Sequence, residues 1–386
     1  MKRILITGAG GFLGRNLAAH LSQRDDVRLL LFDLNNSEAD LREWVSQADV
    51  VFHLAGVNRP KYVEEFETGN AAFTGTLVDA IRDSGRTPHI IVSSSIQAVL
   101  DNPYGESKRH GEEILAAFAK ETGTLASIFR LKNIFGKWCR PNYNSVTATF
   151  CHNIANDLPI QISDPDHELD LVCVDDVVEA FITEMDSKPR RDGVLVEPDP
   201  VPSYSLTLGD LAGRIEFFRS MQETLQIPDF SVRFNQQLYA TYLSYVPTER
   251  WEYGPEIHSD ERGNLAELVK SPHFGQIFVS RTRPGITRGN HYHHTKTEKF
   301  IVIAGEGLIR FRHIDETEIL EFPVRGEEYR IVDIPPGYTH SITNTGSGEM
   351  ITLFWASEVF DPDRMDTYFL KVDVEQKETE GTEENV

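Results

Sequence analysis

Three histidines and a glutamate lie close together in the segment GNHYHHTKTEKF, at His291, His293, His294 and Glu298. His291 and His293 alternate with a tyrosine, so both imidazoles would point to one face of a β-strand. Glu298 can return on the next strand, and His340 in the segment PPGYTH provides a fourth side chain. Imidazole and carboxylate ligands in this number suit zinc, iron or manganese and leave positions open for a substrate. We therefore predict a divalent-cation site at His291, His293, Glu298 and His340, with His294 pointing the other way.

A second group of side chains suits the reduction of a ketone. Tyr104 and Lys108 in the segment YGESK are four residues apart, so they share one face of a helix. An ammonium beside a phenol is expected to lower the pKa of Tyr104, which can then give a proton to a carbonyl oxygen. A hydroxyl of the preceding SSS segment could hold that oxygen. Three consecutive serines leave the register open, so Ser95 and Ser94 are both candidates for this role.

The N-terminal segment ITGAGGFLG has the pattern of a dinucleotide site. Gly8, Gly11 and Gly14 lie between an apolar run and a helical segment, where glycines let the backbone approach a pyrophosphate. Asp33 follows at the end of the second apolar run and can bond a ribose 2′-hydroxyl, which favours NADH. The same carboxylate would repel the 2′-phosphate of NADPH, although Arg15 could offset that repulsion.

The elements that must position these groups differ between two parts of the chain. The first part contains apolar runs such as RILITG, VRLLLFDL, DVVFHLAG and HIIVSSS, separated by segments of helical period such as 68–84 and 104–120. Continuous apolar runs are typical of parallel strands covered on both faces, so we predict a doubly wound α/β sheet of the Rossmann type. The later part has short strand-like runs between glycine- and proline-bearing turns, which indicate an all-β sandwich or barrel.

We accordingly predict three segments. Residues 1–245 form a dinucleotide-binding reductase domain, residues 246–372 form an all-β domain, and residues 373–386 form an acidic, disordered tail.

Composition limits the classes of protein to which this chain can belong. Its 386 residues are enough for two cores, and 40% hydrophobic with 25% charged residues is usual for a globular protein. No apolar run approaches the ~18 residues of a membrane helix, no signal peptide is evident, and the three cysteines have no CxxC spacing. We expect a cytoplasmic protein with reduced thiols. A net charge of −22 argues against nucleic acid or an anionic membrane as the main partner.

The first part resembles the extended short-chain dehydrogenase/reductase family over most of residues 1–245. The resemblance rests on the glycine turn, on the segments HLAG and VDDVV, and on the pair Tyr104 and Lys108. It implies that Ser95, Tyr104 and Lys108 are the catalytic set. Only eight residues separate Ser95 from Tyr104, fewer than is usual in the family, and the following IQAV lacks the acid and base of related sugar dehydratases. The expected cofactor contacts are Gly8, Gly11, Phe12, Leu13, Gly14, Arg15, Asp33, Leu54, Ala55, Gly56, Tyr104 and Lys108.

The later part resembles the cupin family, and two motifs carry this resemblance. The first motif comprises Gly285, His291, His293, Glu298 and Gly305, and the second comprises Pro335, Gly337, His340 and Asn344. The resemblance implies a small β-barrel with a metal or active site at its mouth. The segment HSDERGNLAEL also resembles the opening of cupin nucleotide-sugar epimerases.

A reductase joined to such a barrel suggests two reactions on one ketone. The hydrogen at C3 of a 4-keto sugar is acidic, and a divalent cation at the ketone oxygen would stabilise the enolate left by its removal. Return of the proton on the opposite face would invert C3. Reduction of the ketone would end this acidity, so epimerisation has to come first. Lys296, His294 and Tyr338 are open candidates for the base.

The whole chain resembles the family of CapF/WbjC-type bifunctional UDP-sugar enzymes through segments such as SSSIQA, DNPYGESK, FGKWCRPNYNS, RGNHYHHTK and DIPPGYTH. The resemblance implies a homodimer that acts on a UDP-2-acetamido-2,6-dideoxy-4-ketohexose. A Zn2+-dependent cupin half would epimerise C3, and a reductase half would use NADPH at C4. The product would be UDP-2-acetamido-2,6-dideoxy-L-talose, on the route to UDP-N-acetyl-L-fucosamine for capsule or O-antigen polysaccharide.

A polar loop in the segment FGKWCRPNYNS is suited to a nucleotide sugar. Lys137 and Arg140 could contact a diphosphate, and nearby asparagines could bond the sugar or the uridine. The expected substrate contacts are Ser94, Asn133, Lys137, Arg140, Asn142 and Asn144. One alternative stays open, in which the chain is a 4-keto-sugar reductase and its cupin only binds sugar or forms a dimer.

Overall fold

The computed structural model describes residues 1–187 and 194–373, so the tail predicted over residues 373–386 lies outside the described part except for its first residue. The described chain divides into two units. The first unit comprises Met1–Arg219 and Arg233–Glu249, and the second comprises Ser220–Val232 and the chain from Arg250 onward.

This division differs from the single boundary predicted near residue 245, because Ser220–Val232 joins the second unit. Backbone hydrogen bonds explain the assignment. The Lys270 N–H donates to the carbonyl of Leu225, and the Ile227 N–H donates to the carbonyl of Lys270. The segment is therefore held along one strand of the second unit.

The first unit is built on a parallel sheet. In spatial order its strands are β2 (Val27–Phe32), β1 (Lys2–Thr7), β3 (Val50–His53), β4 (His89–Ser95), β5 (Ala126–Leu131) and β8 (Leu195–Val196). The order reverses between β1 and β3, where a doubly wound sheet opens a crevice for a ligand at its carboxyl edge. The Rossmann-type sheet predicted from the sequence is confirmed.

Alternate residues of these strands pack into different cores, which explains the continuous apolar runs. Leu5 packs with Leu77 of one helical layer, whereas its neighbour Ile6 packs with Leu17 of the other layer. A sheet covered on both faces needs apolar residues at every position of its central strands.

Helices and a small second sheet complete the chain before residue 250. The helices are α1 (Phe12–Leu21), α2 (Glu38–Val45), α3 (Glu64–Phe66), α4 (Phe73–Ser84), α5 (Pro103–Thr122), α6 (Val146–Ala155), α7 (Val174–Asp186), α8 (Leu208–Thr224) and α9 (Arg233–Leu243). The small sheet has the order β6 (Asn133–Phe135), β7 (Glu168–Cys173) and β9 (Tyr204–Thr207). The segment predicted as a helix over 68–84 forms a π-helix, Glu67–Ala72, and then α4. The helix predicted over 104–120 lies within α5.

Helix α5 starts close to the carboxyl end of β4 because the connection is short. A single 3-10 turn, Ile96–Val99, occupies most of it. The side chain of Asn102 then caps α5 by accepting from the Gly105 N–H at 2.8 Å, and Pro103 occupies the first turn. Such a cap stabilises a helix by about 1 kcal/mol. The short connection returns the start of α5 to the end of β4.

The second unit consists of two antiparallel sheets that share one core. One sheet has the order β10 (Ile257–Asp260), β11 (Gly263–Ser271), β12 (Gly275–Thr282), β19 (Met350–Ala356), β14 (Glu298–Ala304) and β17 (Ile331–Ile334). The other has the order β16 (Ile319–Arg325), β15 (Glu306–His313), β18 (Tyr338–Asn344), β13 (Thr287–Tyr292) and β20 (Tyr368–Phe369). Phe300 and Phe354 of the first sheet pack with Ile309 and Ile342 of the second. The predicted all-β domain is confirmed.

No helix within residues 1–187 or 194–373 is long and apolar enough to cross a membrane.

Candidate active sites

The turn after β1 is tightly packed around its glycines. Gly8 has a φ of 70°, and a Cβ there would lie 2.7 Å from the backbone nitrogen of Ala55. A Cβ on Gly14 would lie 2.1 Å from the carbonyl oxygen of Gly8. Larger residues therefore cannot replace these two glycines without moving the backbone. No side chain caps α1 at Gly11, so the first N–H groups of this helix are available to a phosphate.

Asp33 lies across this turn, just after the end of β2. Its Oδ2 accepts from the Gly10 N–H at 2.5 Å, and its Oδ1 accepts from the Leu34 N–H at 2.8 Å. Arg15 is exposed, with its guanidinium 5.1 Å from the ring centre of Trp138. The remaining predicted cofactor residues lie at the start of α1 or directly after β3, and they are Phe12, Leu13, Leu54, Ala55 and Gly56.

The serines that end β4 point to different partners. The Ser94 hydroxyl is buried and donates to Oε1 of Glu112 at 2.5 Å. The Ser95 hydroxyl accepts from the Gln97 N–H at 3.1 Å and lies near enough to Tyr104 to act on the pKa of its phenol. Side chains alternate along a strand, so only one of these two neighbours can face Tyr104. The structure brings Ser95 to Tyr104 and turns Ser94, a predicted substrate contact, towards Glu112.

Tyr104 and Lys108 share one face of α5, with the ammonium nitrogen 5.9 Å from the centre of the phenol ring. Burial raises the pKa of Tyr104, and the nearby Ser95 hydroxyl opposes this effect only in part. The pKa of Tyr104 is thus raised by burial, where the sequence led us to expect that Lys108 would lower it, and Lys108 donates to the carbonyl of Ser93 at 3.4 Å. Burial also lowers the pKa of Lys108 to about 8.

Glu112 is a buried residue that the sequence analysis missed. It lies one turn after Lys108 on α5, and its Oε2 accepts from the guanidinium of Arg130 at 2.7 Å. Its charge works to raise the pKa of Lys108 against the effect of burial. The four-residue spacing from Lys108 was a signal that could have found it, because residues four apart are neighbours on a helix.

His53 of the segment HLAG holds the end of β3 in place. Its Nδ1 lies 2.8 Å from the hydroxyl of Thr7, and its Nε2 lies 3.0 Å from the hydroxyl of Thr74. Burial lowers the pKa of His53 to about 3, and the charge of Lys108 adds to this effect. The imidazole is therefore neutral and has a positioning role within the buried wall beside Lys108.

The loop predicted to contact substrate is held within the first unit. The Lys137 ammonium lies 2.5 Å from Oδ1 of Asp175, and the Tyr245 hydroxyl donates to the carbonyl of Cys139 at 2.6 Å. Lys137 thus has a carboxylate partner where a diphosphate was predicted. The other predicted substrate contacts of this region have exposed side chains, and they are Asn133, Arg140, Asn142 and Asn144.

His291, His293, Glu298 and His340 converge in the second unit, with their candidate ligand atoms all within 4.8 Å of one another. His291 pairs with His340 across β13 and β18, where a bulge after Gly289 shifts the register. Glu298 begins β14 in the other sheet. The Nε2 atoms of His293 and His340 lie 3.3 Å and 3.4 Å from Oε2 of Glu298. His294 is exposed, as its position in the alternation predicts.

The electrostatics of this cluster suit a divalent cation. The Nε2 atoms of His293 and His340 are buried without a hydrogen-bond partner, which is costly for a polar atom. Burial lowers the pKa of His291 to about 4, so this imidazole is neutral at pH 7. Burial works to raise the pKa of Glu298, but the imidazoles of His293 and His340 outweigh it and hold that pKa below its usual range. Imidazole and carboxylate groups are ligands that zinc accepts.

A cavity of about 510 Å³ adjoins the cluster within the second unit. His291, Lys296 and Glu298 line it on the side of the cluster. Arg262, from the segment HSDERGNLAEL, lines another side together with Arg288. The Arg262 guanidinium pairs with the carboxylate of Asp260, which also lines the cavity, so the possible cation ligands share this cavity with two arginines and with further carboxylates.

The three candidates for a base are placed differently. Lys296 lines the cavity, with its ammonium 3.7 Å from Oε1 of Glu298. His294 is exposed and packs against Tyr368, and the ring of Tyr338 packs against His313. Of the three, only Lys296 belongs to the lining of this cavity.

Both units resemble known proteins. Residues 4–194 match the NAD dependent epimerase/dehydratase family, and residues 258–368 match the polysaccharide biosynthesis C-terminal domain. A protein of Pseudomonas aeruginosa strain PA103, UDP-2-acetamido-2,6-beta-L-arabino-hexul-4-ose reductase, is 44% identical over 370 residues, which cover 96% of this chain and 99% of that protein. The crystal structure of the capsular polysaccharide assembling protein CapF from Staphylococcus aureus matches this chain with a TM-score of 0.88. The two sequences are 43% identical, and the match covers 95% of this chain and 99% of the CapF chain. The chain belongs to the CapF-type family.

A further CapF structure, with the inhibitor 3-isopropenyl-tropolone, matches this chain with a TM-score of 0.84. The two sequences are 38% identical, and the match covers 96% of this chain and 99% of the CapF chain. The CapF-type resemblance seen in the sequence is confirmed.

In this CapF-type chain, one further residue beside the histidine cluster was not predicted. Asp366 is distant in sequence from His293, yet its carbonyl accepts a hydrogen bond from Nδ1 of that histidine at 2.5 Å. Its carboxylate also accepts from the backbone N–H groups that follow His293. Nothing in the surrounding segment DPDRMDTY marks this aspartate before the fold is known.

Proposed function

We propose that this CapF-type protein is a bifunctional nucleotide-sugar enzyme. Its second unit epimerises C3 of a UDP-2-acetamido-2,6-dideoxy-4-ketohexose, and its first unit reduces the C4 ketone with NAD(P)H. The product is UDP-2-acetamido-2,6-dideoxy-L-talose, on the route to UDP-N-acetyl-L-fucosamine for capsule or O-antigen polysaccharide. The name of the P. aeruginosa relative supports a UDP-linked keto sugar as substrate.

One observation carries the two-reaction proposal. The first unit contains a dinucleotide turn and the set Ser95, Tyr104 and Lys108. The second unit contains a histidine–glutamate cluster, and members of this cluster line a cavity. A reductase alone has no need for buried imidazole nitrogens without partners. Such nitrogens in a protein that also reduces a ketone support a second reaction at the same carbonyl.

Reduction uses the groups at the end of β4 and the start of α5. Ser95 holds the ketone oxygen, and Tyr104 donates a proton to it. Lys108 keeps a positive charge beside the phenol and binds the nicotinamide ribose. When bound, the dihydronicotinamide supplies the hydride to C4. The raised pKa of Tyr104 is consistent with this role, because it keeps the proton on the phenol until the oxygen of the substrate needs it.

The dinucleotide would lie on the glycine turn. Gly8, Gly11 and Gly14 let its pyrophosphate reach the N-terminus of α1. The family leads us to propose NADPH, with Arg15 near the 2′-phosphate. Asp33 keeps NADH as the second candidate, because its carboxylate is held beside Gly10, where it would favour a 2′-hydroxyl and repel a phosphate.

Epimerisation uses the second unit, which we propose to be a cupin barrel. His291, His293, Glu298 and His340 would hold Zn2+, and the unpartnered Nε2 atoms of two of these histidines fit such an ion. When bound, a divalent cation supplies Lewis acidity to the ketone oxygen of the substrate. The positive φ of the motif glycines agrees with cupin turns, with values of 75°, 85° and 78° at Gly285, Gly305 and Gly337.

The order of the reactions follows from their chemistry. The hydrogen at C3 is acidic only while C4 is a ketone, so the second unit acts before the first. Residues of the cavity wall orient the sugar and exclude water, and we place the UDP group near Arg262 and Arg288, which both line the cavity. We further propose that the enzyme is a cytoplasmic homodimer.

An alternative is a 4-keto-sugar reductase whose second unit only binds sugar or forms the dimer. Exchange in heavy water separates the two functions. The 4-keto nucleotide sugar is incubated with protein and Zn2+ in heavy water without nicotinamide cofactor, and deuterium at C3 is measured by mass spectrometry. We expect label with wild-type protein and with Tyr104→Phe, and none with His340→Asn. His273→Asn is the matched control, because His273 is a half-exposed histidine of the same unit outside the cluster. Absence of label with the wild type would favour the alternative.

A further inference from the structure

Residues 366–372, which we call the strap, lie beside the histidine cluster. Within it, β20 pairs with β13 so that Phe369 is opposite His291 and Tyr368 is opposite Tyr292. The strap continues along the same strand, because the Leu370 N–H donates to the carbonyl of Asn290 at 2.9 Å. The Thr339 hydroxyl of β18 also donates to the Leu370 carbonyl. The strap therefore contacts both β13 and β18, the strands that carry His291 and His340.

Asp366 begins the strap and binds the loop between two members of the cluster. Its Oδ1 accepts from the His294 N–H at 2.9 Å. Its Oδ2 accepts from the Thr295 N–H at 2.7 Å, from the Thr295 hydroxyl at 2.9 Å and from the Lys296 N–H at 2.8 Å. One carboxylate thus fixes three consecutive backbone N–H groups in the short loop from His293 to Glu298.

The main chain of Asp366 also acts on a cluster member directly. Its carbonyl oxygen can only accept, so the 2.5 Å contact requires the proton of His293 to be on Nδ1. In a neutral imidazole the lone pair is then on the other nitrogen, Nε2, which lies 3.3 Å from Oε2 of Glu298 within the cluster. Outer hydrogen bonds of this kind select the tautomer and the ring orientation of a metal-binding histidine.

We propose that Asp366 is the positioning residue of the cation site, which holds the His293–Glu298 loop and the His293 tautomer ready to bind the ion. This inference rests on the proposed function only in taking His291, His293, Glu298 and His340 as the ligands. The physical argument is preorganisation. A loop already fixed by four hydrogen bonds to one carboxylate loses little conformational freedom when the ion binds.

Removal of the Asp366 side chain should therefore weaken the cation site without removing any ligand. The carbonyl of residue 366 stays in the chain, but it is no longer tied to the loop that it faces. Loss of an outer partner of this kind lowers metal affinity about 10- to 100-fold. An asparagine keeps one accepting oxygen but turns an NH2 group towards backbone donors, so it should have a smaller effect in the same direction.

The test measures binding of Zn2+ alone. Full-length protein is freed of metal with a chelator and titrated with Zn2+ against a colorimetric chelator of known affinity. We expect Asp366→Ala to weaken Zn2+ binding about 10- to 100-fold and Asp366→Asn to weaken it by a smaller factor. Asp363→Ala is the matched control, since Asp363 is an exposed aspartate three residues earlier, outside the cavity lining, and should bind Zn2+ like the wild type.

A spectroscopic readout distinguishes positioning from a general structural role. Co2+ replaces Zn2+, and its visible absorption spectrum reports the geometry of the ligands. We expect an altered spectrum in Asp366→Asn and an unchanged one in Asp363→Ala. Variants of Asp366 that fold, as judged by circular dichroism, and that match the wild type in both Zn2+ affinity and Co2+ spectrum would overturn the inference. Wild-type protein that binds no Zn2+ would overturn the ligand assignment, and with it this inference and the proposed epimerase together.

Discussion

Nε2 of His340 lies 3.4 Å from Oε2 of Glu298, although the two residues belong to different sheets of the second unit. His340 is in β18 of one sheet, and Glu298 begins β14 of the other. An ion bound by both side chains would therefore link the sheets across their shared core. Cation binding and the stability of the second unit should be coupled for this reason.

Removal of the cation is predicted to destabilise the second unit. Zn2+ at a hundred times its dissociation constant adds about 2.7 kcal/mol to the free energy of unfolding when it binds only the folded state. Thermal unfolding with and without Zn2+ measures the effect, and hydrogen exchange of β14 and β18 amides locates it. His340→Asn should melt at the same temperature in both conditions, while His273→Asn should keep the shift. A shift in His340→Asn as large as that of the wild type would contradict the assignment.

Substitution of Tyr104 is predicted to separate the two reactions. Tyr104→Phe removes the proton donor and should slow reduction of the ketone by about 10²- to 10⁴-fold. Exchange of the C3 hydrogen should be unaffected, because that reaction belongs to the other unit. Cofactor oxidation followed at 340 nm measures the first reaction, and deuterium uptake measures the second. If both reactions fell together, the division of labour between the units would be incorrect.

Reduction is predicted to depend on the ionisation of Lys108. The pKa of this residue is lowered to about 8 by burial, so its charge, and with it reduction, should be present below this pH and lost as the pH rises through it. Glu112 works to raise that pKa, so Glu112→Gln should lower it further and move the loss of activity to lower pH. The pH profile of kcat/KM measures the shift. Glu113→Gln, at an exposed neighbour, is the control and should keep the wild-type profile.

Alanine at two glycines is predicted to have opposite outcomes. A Cβ at Gly14 would lie 2.1 Å from the Gly8 carbonyl oxygen, so Gly14→Ala should distort the turn and abolish tight dinucleotide binding. A Cβ at Gly75 of α4 meets no atom within 4 Å, and Gly75→Ala should stabilise the helix by up to about 1 kcal/mol. Fluorescence titration with NADH and NADPH compares the variants and also measures which cofactor the protein prefers. Equal cofactor affinity in the two variants would show that the turn does not bind the pyrophosphate.

The parts of the sites that sequence could predict are those set by local spacing. Tyr104 and Lys108 share a face because any helix places residues four apart on one side. His291 and His293 project together for the corresponding reason in a strand. His340 lies far from both along the chain, and its assignment to the site rested on the segment PPGYTH and on a motif whose spacing resembles that of the cupin family.

The parts that sequence could not predict depend on packing between distant segments. Three identical serines do not show where the alternation of β4 begins, so the roles of Ser94 and Ser95 became distinct only in the fold. The direction of the Tyr104 pKa shift depends on burial, to which the ring of Phe66, 5.6 Å away between centroids, contributes. Asp366 reaches the histidine loop because β20 pairs with β13, a contact between segments that no local pattern links.

The most direct test of the account is C3 exchange measured on Tyr104→Phe protein, in which reduction cannot interfere. Deuterium incorporation from heavy water is followed before chelation, after chelation, and after Zn2+ is returned to the same sample. The account predicts label before chelation, its loss when the metal is removed, and its recovery with Zn2+. Exchange that proceeds unchanged in protein shown by elemental analysis to be free of divalent ions would contradict it.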